Sequence, residues 1–175
     1  LFIEVTMAYP TVSAPYGLKP INLIGGQVFA GATRQFQIAS GYTSSIYNGD
    51  AVLLVTSGTI EKDTGTTTAT PVGVFLGCSY VNAQGQTIYQ QYFPASTTAP
   101  TGTVITAYVA DDPDTLFKVA VVSGTTVIAG VSRAVIGSNM SLVQNAGSAT
   151  TGDSKVAVLS SSARSEEHTS ELQSH

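Results

Sequence analysis

The feature that most constrains this chain is a recurring unit: a short run of β-branched, aromatic and aliphatic residues closed by a turn signal, repeated roughly every ten residues. "AVLLVTSGTIEK", residues 51–62, is the clearest example, with two β-type runs flanking Ser57-Gly58. Such a pair reads as a tight hairpin. "TRQFQIA" places Phe36 and Ile38 on one face and Gln35 and Gln37 on the other, the alternation of a half-buried strand. Between these stretches "YNGD" supplies Asn48-Gly49, a pair that allows positive φ twice in succession. "VGVFLGCSYV", residues 72–81, sets Val72, Val74, Leu76, Cys78 and Tyr80 on one alternating face, as a central strand would.

The pattern continues after residue 81. "NAQGQ" is a turn leading into "TIYQQYF", and "TVITAYVA" and "LFKVAVV" are joined through "DDPDT", which reads as a second hairpin-like unit. Residues 127–136 fit a strand or one short helix, because Val127, Val131 and Val135 recur at a spacing of four. Two last strands are expected near residues 141–144 and 155–159. No long helix, heptad or internal repeat is legible. The fold class is therefore all-β: a compact β-barrel or β-sandwich of about 8–10 short strands.

Residues 7–23 depart from this pattern. Pro10, Pro15 and Pro20 fall five apart with Gly17 among them. Each proline removes a donor and restrains the residue before it, so an extended N-terminal arm is expected here, followed by a β domain over residues 24–163. "LFIEVT" precedes Met7 and is expected to be upstream translation.

The last twelve residues, "RSEEHTSELQSH", hold both histidines of the chain, His168 and His175, with Glu166, Glu167 and Glu171. Written back into codons, residues 164–174 resemble a translated short-read sequencing adapter. Residues 164–175 are thus expected to be a non-native read-through tail, and scars of that kind are kept out of fold reasoning. The whole chain carries seven basic and eleven acidic side chains, a net charge of −4; residues 7–163 carry six and seven, a net of −1. A nearly neutral domain with dispersed Lys and Arg has no electrostatic footprint for nucleic acid or an anionic membrane surface. No apolar run approaches membrane-spanning length, and no basic-then-apolar leader is legible. One cysteine, Cys78, rules out an internal disulfide framework.

Catalytic chemistry is thinly represented. Without the tail there is no histidine, which removes the commonest general base, the usual triad partner and most zinc sites. Cys78 shares its expected strand face with Val72, Val74 and Leu76, and reads as a small buried hydrophobe rather than a nucleophile. "DDPD" gathers Asp111, Asp112 and Asp114. Calcium needs roughly six to eight oxygen ligands, so a proline-containing turn with Asp side chains on nearby amides is the simpler account. Glycoside hydrolysis needs two carboxylates facing each other across a substrate, which neighbours on one turn do not provide. Gly25-Gly26 lacks the Gly-Lys-Ser/Thr of a phosphate loop. The eight tyrosines are scattered singly. No catalytic, cofactor or metal site is expected.

"APYGLKPINLIGGQ", "TRQFQIASGYTSSIYNGDAVLLVTSGTIEK", "TATPVGVFLGCSYV" and "YVADDPDTLFKV", in that order, resemble small virion proteins of tailed bacteriophages, especially marine phages, over residues 7–159. The hairpin followed by "PVGVFLG" is similar to the core of phage head decoration, or cement, proteins. The resemblance implies a β-rich homotrimer that binds the outside of the expanded head, with the major capsid protein as partner. It implies a virion location after synthesis in the bacterial host cytoplasm, no enzyme activity and no cofactor. The arm, residues 8–23, would then contact the capsid through Tyr9, Pro10, Pro15, Tyr16, Leu18 and Pro20, and its deletion would leave the β domain folded. Alternatives are another phage structural module, such as a head fibre base, tail or receptor- or glycan-binding protein, and a hydrolase using Asp111, Asp112 or Asp114.

Overall fold

The computed structural model describes residues 15–163. The adapter-like tail, the upstream segment and the first part of the arm lie outside them. The fold is nearly all β and sandwich-like. Among the described residues the strands are β1 Lys19–Leu23, β2 Arg34–Ile38, β3 Ala51–Leu54, β4 Ile60–Lys62, β5 Gly73–Val81, β6 Thr87–Gln90, β7 Ile105–Ala110, β8 Thr115–Lys118, β9 Val121–Val122, β10 Leu142–Val143 and β11 Ala157–Leu159. The main sheet runs β2-β7-β5-β3-β4, with β6 hydrogen-bonded to the far half of β5. A bridge from Gln37 to Thr59 brings the β2 and β4 edges together without a continuous ladder, so the barrel does not close.

The expected alternation sets the core. Ile38, Val52, Ile60, Phe75, Cys78, Ile105, Ala107 and Val109 point inward from the main sheet, joined by Ile46 and Phe93 from loops. Burial of the Val, Ile and Phe side chains among them stabilises the fold by about 1.5–3 kcal/mol each relative to exposure. The hairpin at Ser57-Gly58 forms as read, closed by Val55 N–H to Thr59 O at 2.9 Å and Gly58 N–H to Val55 O at 2.9 Å.

Five local expectations are corrected. The face assigned to residues 72–81 does not run unbroken, because the β5–β7 register slips between Phe75 and Gly77. This β-bulge puts Phe75 and Cys78 on the core face and leaves Val74 buried against the opposite side. At "YNGD", Asp50 N–H bonds Tyr47 O at 2.9 Å while Gly49 alone takes a positive φ, 95°, which matches a type II turn rather than one with two left-handed residues. The "DDPDT" strands do not pair with each other. Both edges of β7 are occupied, by β2 and β5, so β8 leaves the sheet and pairs with β1. "LFKVAVV" is two strands, β8 and β9, and residues 127–136 form neither a full strand nor an α-helix: Ile128 bridges Val122, and Arg133–Val135 is one 3-10 turn.

A smaller sheet, β10-β11-β9, has β11 antiparallel to β10 and parallel to β9. It buries Val122, Val156 and Ala157. Among the described residues no helix is long and apolar enough to cross a membrane.

Candidate partner-binding face

Of the segment read as an arm, residues 15–23 are described, and they end in the strand β1. Lys19 lies opposite Lys118 and Leu23 opposite Thr115, with a bulge between Pro20 and Asn22. A proline is tolerated because β1 has one full-length partner. The resulting β1–β8 ribbon has two faces. Along β8, Thr115 and Phe117 turn towards the main sheet, while Leu116 and Lys118 are exposed. Ile24, 63% exposed, Val28, 74% exposed, and Ile21 are exposed along β1 and the turn after it. Val28 bridges Asn22, which itself faces Leu116, so Val28 and Leu116 flank Asn22 in one row across the sheet. A clustered apolar face of this kind marks an interaction surface more often than scattered single residues do.

The ribbon is anchored at its start. Gly17, with φ 76°, lies against Gly49: a Cβ on Gly17 would sit 2.7 Å from the Cβ of Ser154 and 2.9 Å from Gly49 O. The close approach lets Leu18 N–H reach Gly49 O at 2.9 Å. Lys19 Nζ donates to Asn48 Oδ1 at 2.6 Å and to Asp153 Oδ1 at 2.7 Å. Asn48 Nδ2 in turn donates to Leu76 O at 2.7 Å. The Lys118 ammonium sits 5.9 Å from the Tyr16 ring centroid, within cation–π range.

Beneath the anchor lies a buried polar cluster. Asp50 is fully buried. Its Oδ2 accepts from Tyr47 N–H at 2.9 Å and pairs with Lys62 Nζ at 3.1 Å, and its Oδ1 accepts from Ser154 Oγ at 2.5 Å. Val156 N–H donates to the same Ser154 Oγ at 3.0 Å. With both oxygens engaged and a lysine beside it, the buried carboxylate is compensated rather than reactive. Asp63, also buried, takes Gly65 N–H and Thr70 N–H on its two oxygens and so shapes the loop "DTGTTTATP", residues 63–71.

Of the residues read as partner-binding, Tyr9 and Pro10 lie outside the described residues. Pro15 is buried and Tyr16 is half-buried. Pro20 stands opposite Phe117 in the ribbon, and Leu18 lines a cleft on its inner side. The exposed set, Ile21, Ile24, Val28 and Leu116, was not singled out from the sequence. "INLIGGQV" does carry the signal: apolar residues on both alternating sets, around a Gly-Gly turn.

The acidic group behaves as a turn. Asp112 Oδ1 accepts Asp114 N–H at 2.9 Å, Asp112 O accepts Thr115 N–H at 3.0 Å, and Asp111 Oδ2 pairs with Arg34 Nε at 2.9 Å. No group of three or more potential metal ligands converges among the described residues. Burial pushes the Cys78 thiol up to about 12, and its Sγ lies 3.6 Å from Tyr92 O, so it is a core residue and not a nucleophile at neutral pH. No family model, curated protein or solved structure matches the chain.

Proposed function

We propose that this is a structural virion protein that decorates and cements the outer surface of a tailed-phage head. The observation that carries the reading is the outward apolar face of the β1–β8 ribbon, Ile21, Ile24, Val28 and Leu116, fixed to a buried polar cluster instead of hanging from a flexible tether. A cement protein works through buried area and shape, and stabilises the assembled lattice because it binds that lattice and not its parts. Low net charge and a rigid β-core suit that task, and so does an apolar strip ready to be covered. A second projection, where Val127, Val131 and Ile136 are exposed, would supply another contact, as binding across neighbouring capsid subunits requires. The phage assignment, the trimer and the capsid partner rest on the sequence resemblance given above.

Light scattering on the full chain, followed by co-sedimentation with expanded phage heads, tests the reading. A trimer that pellets with heads and raises their resistance to heat is expected. Val28→Lys with Leu116→Lys should abolish pelleting while the protein stays folded. A monomer that ignores heads would overturn the proposal.

A further inference from the structure

Three stretches far apart in sequence meet at the base of the ribbon: Lys19 at the start of β1, Asn48 in the turn before β3, and Asp153 in the loop before β11. Lys19 Nζ lies 2.6 Å from Asn48 Oδ1 and 2.7 Å from Asp153 Oδ1, across 29 and 134 positions. We propose that these residues form an intramolecular isopeptide bond between Lys19 Nζ and Asn48 Cγ, with Asp153 as the base and ammonia as the leaving group. The assignment stands apart from the docking reading and concerns how the ribbon is held.

Geometry carries it. Leu76 O accepts only from a donor, so its 2.7 Å contact with Asn48 fixes Nδ2 on that side and turns the carbonyl oxygen towards the ammonium. The carbon to be attacked is one bond beyond the oxygen that Nζ already touches. All three backbones are held by neighbouring hydrogen bonds. Asn48 and Asp153 face each other in a parallel bridge, with Asn48 N–H on Gly152 O at 3.0 Å and Ser154 N–H on Asn48 O at 3.0 Å. Leu18 N–H on Gly49 O at 2.9 Å sets the backbone beside Lys19. Reacting groups fixed in contact reach effective molarities of about 10⁵–10⁸ M when well aligned, which is what an unreactive amide needs.

The usual attacker on an Asn-Gly pair is the following backbone nitrogen. Here Gly49 N–H is committed to Phe75 O at 2.8 Å, and Lys19 takes its place. Asp153 removes a proton from the Lys19 ammonium, and the lone pair freed on Nζ forms the bond to Cγ. Asp153 then passes that proton to Nδ2 and accepts the second one that Nζ sheds. The Cγ–Nδ2 bond breaks, the carbonyl re-forms, and ammonia leaves with the last proton as ammonium. Nothing is oxidised or reduced, and no co-reactant is needed. Side-chain exposures of 31% for Lys19 and 37% for Asp153 give the ammonia a way out, and Asp153 keeps its 3.0 Å bond from Gln91 Nε2. Lys118 stands directly opposite Lys19. Like charges so placed repel, so a neutral amide at Lys19 also relieves that contact.

The purified full chain, incubated at neutral pH and then denatured, would be weighed by intact mass spectrometry and digested with trypsin. The expected mass is lower than the sequence dictates by one ammonia. Cleavage after Arg34 and Lys62 should release residues 1–34 and 35–62 as one branched species, with fragmentation placing the link at Lys19 and Asn48. Lys19→Met and Asn48→Ala should each keep the full sequence mass. Asp153→Ala should lower the linked fraction at least tenfold while circular dichroism shows the fold retained. A parent chain at full sequence mass, with Lys19 and Asn48 on separate peptides, would overturn the proposal and leave an ordinary ion pair. Ammonia loss that persists in Lys19→Met would belong to a succinimide at Asn48-Gly49 and would overturn it equally. Undiminished linkage in Asp153→Ala would overturn the role given to Asp153. The parent chain's own mass decides the matter even where a variant fails to fold.

Discussion

Ser154 donates from Oγ to Oδ1 of Asp50 at 2.5 Å across 104 positions of sequence. This one bond ties the loop before β11 to the turn that opens β3, and the same aspartate takes Lys62 from β4 and the amide of Tyr47. Removing one partner of such a buried pair leaves a charge uncompensated, which costs about 3–5 kcal/mol. Asp50→Ala and Lys62→Met should each lose about that much in urea unfolding. Ser154→Ala should lose about 1–3 kcal/mol, because Asp50 then keeps two of its partners. The double variant Asp50→Ala/Lys62→Met should lose clearly less than the two single changes combined, because residues in one network are not additive. Additive losses would mean that the two side chains do not act as a unit.

The contact between Gly17 and Gly49 gives a second expectation. Both have positive φ, and a Cβ on Gly17 would overlap Ser154 and Gly49. Gly25 also has positive φ, 100°, but open space around it. Gly25→Ala therefore carries only the backbone strain, about 1 kcal/mol. Gly17→Ala carries that strain plus the separation of Leu18 from Gly49, and its midpoint in chemical denaturation should fall well below that of Gly25→Ala. Equal midpoints would show that the close approach is not needed for stability.

Much of the main sheet was legible because its information is local. Phe36 and Ile38, the Ser57-Gly58 hairpin and the alternation of Ile105, Ala107 and Val109 declare themselves within a few residues. The ribbon was not, since nothing near Lys19 names Lys118 as its partner. The "DDPDT" turn misled for a related reason: adjacency predicts a hairpin, but β7 had already filled both edges with β2 and β5. The Phe75–Gly77 bulge was hidden because every residue from Val74 to Leu76 is apolar, so period two fits either face. At the candidate site, Leu18 and Pro20 were picked out for lying among prolines. Ile24, Val28 and Leu116 went unnoticed, because exposure is a property of the assembled sheet and not of the residue.

Cys78 carries a pH expectation. Burial raises its folded value from 9.0 to about 12, so the unfolded chain ionises first as the pH climbs. The stabilising contribution of the neutral thiol is complete below pH 9 and is lost progressively as the pH rises towards 12. Stability measured by urea unfolding should therefore fall between pH 9 and 11, and Cys78→Ala should flatten that fall. A smaller decline should persist from Tyr80, whose value burial also raises. At pH 8 the native thiol should resist iodoacetamide and react only after unfolding; rapid native alkylation would contradict its place in the core.

The ribbon separates two roles that a free arm would combine. Deleting residues 15–23 removes the Leu18–Gly49 bond, both Lys19 contacts and the partner of β8. It also uncovers Val74 and Phe117 along the cleft. The expected outcome is a marked loss of cooperative unfolding, seen as a broadened thermal transition and dye binding to exposed apolar surface. Substitutions on the outer face remove none of those bonds. Val28→Lys and Leu116→Lys should each stay within about 0.5 kcal/mol of the parent, as surface changes do. A deletion variant that unfolds as sharply as the parent would restore the picture of an independent arm. Destabilisation by the outer-face lysines would mean that those side chains are already covered within the chain, and the docking face would have to be sought elsewhere.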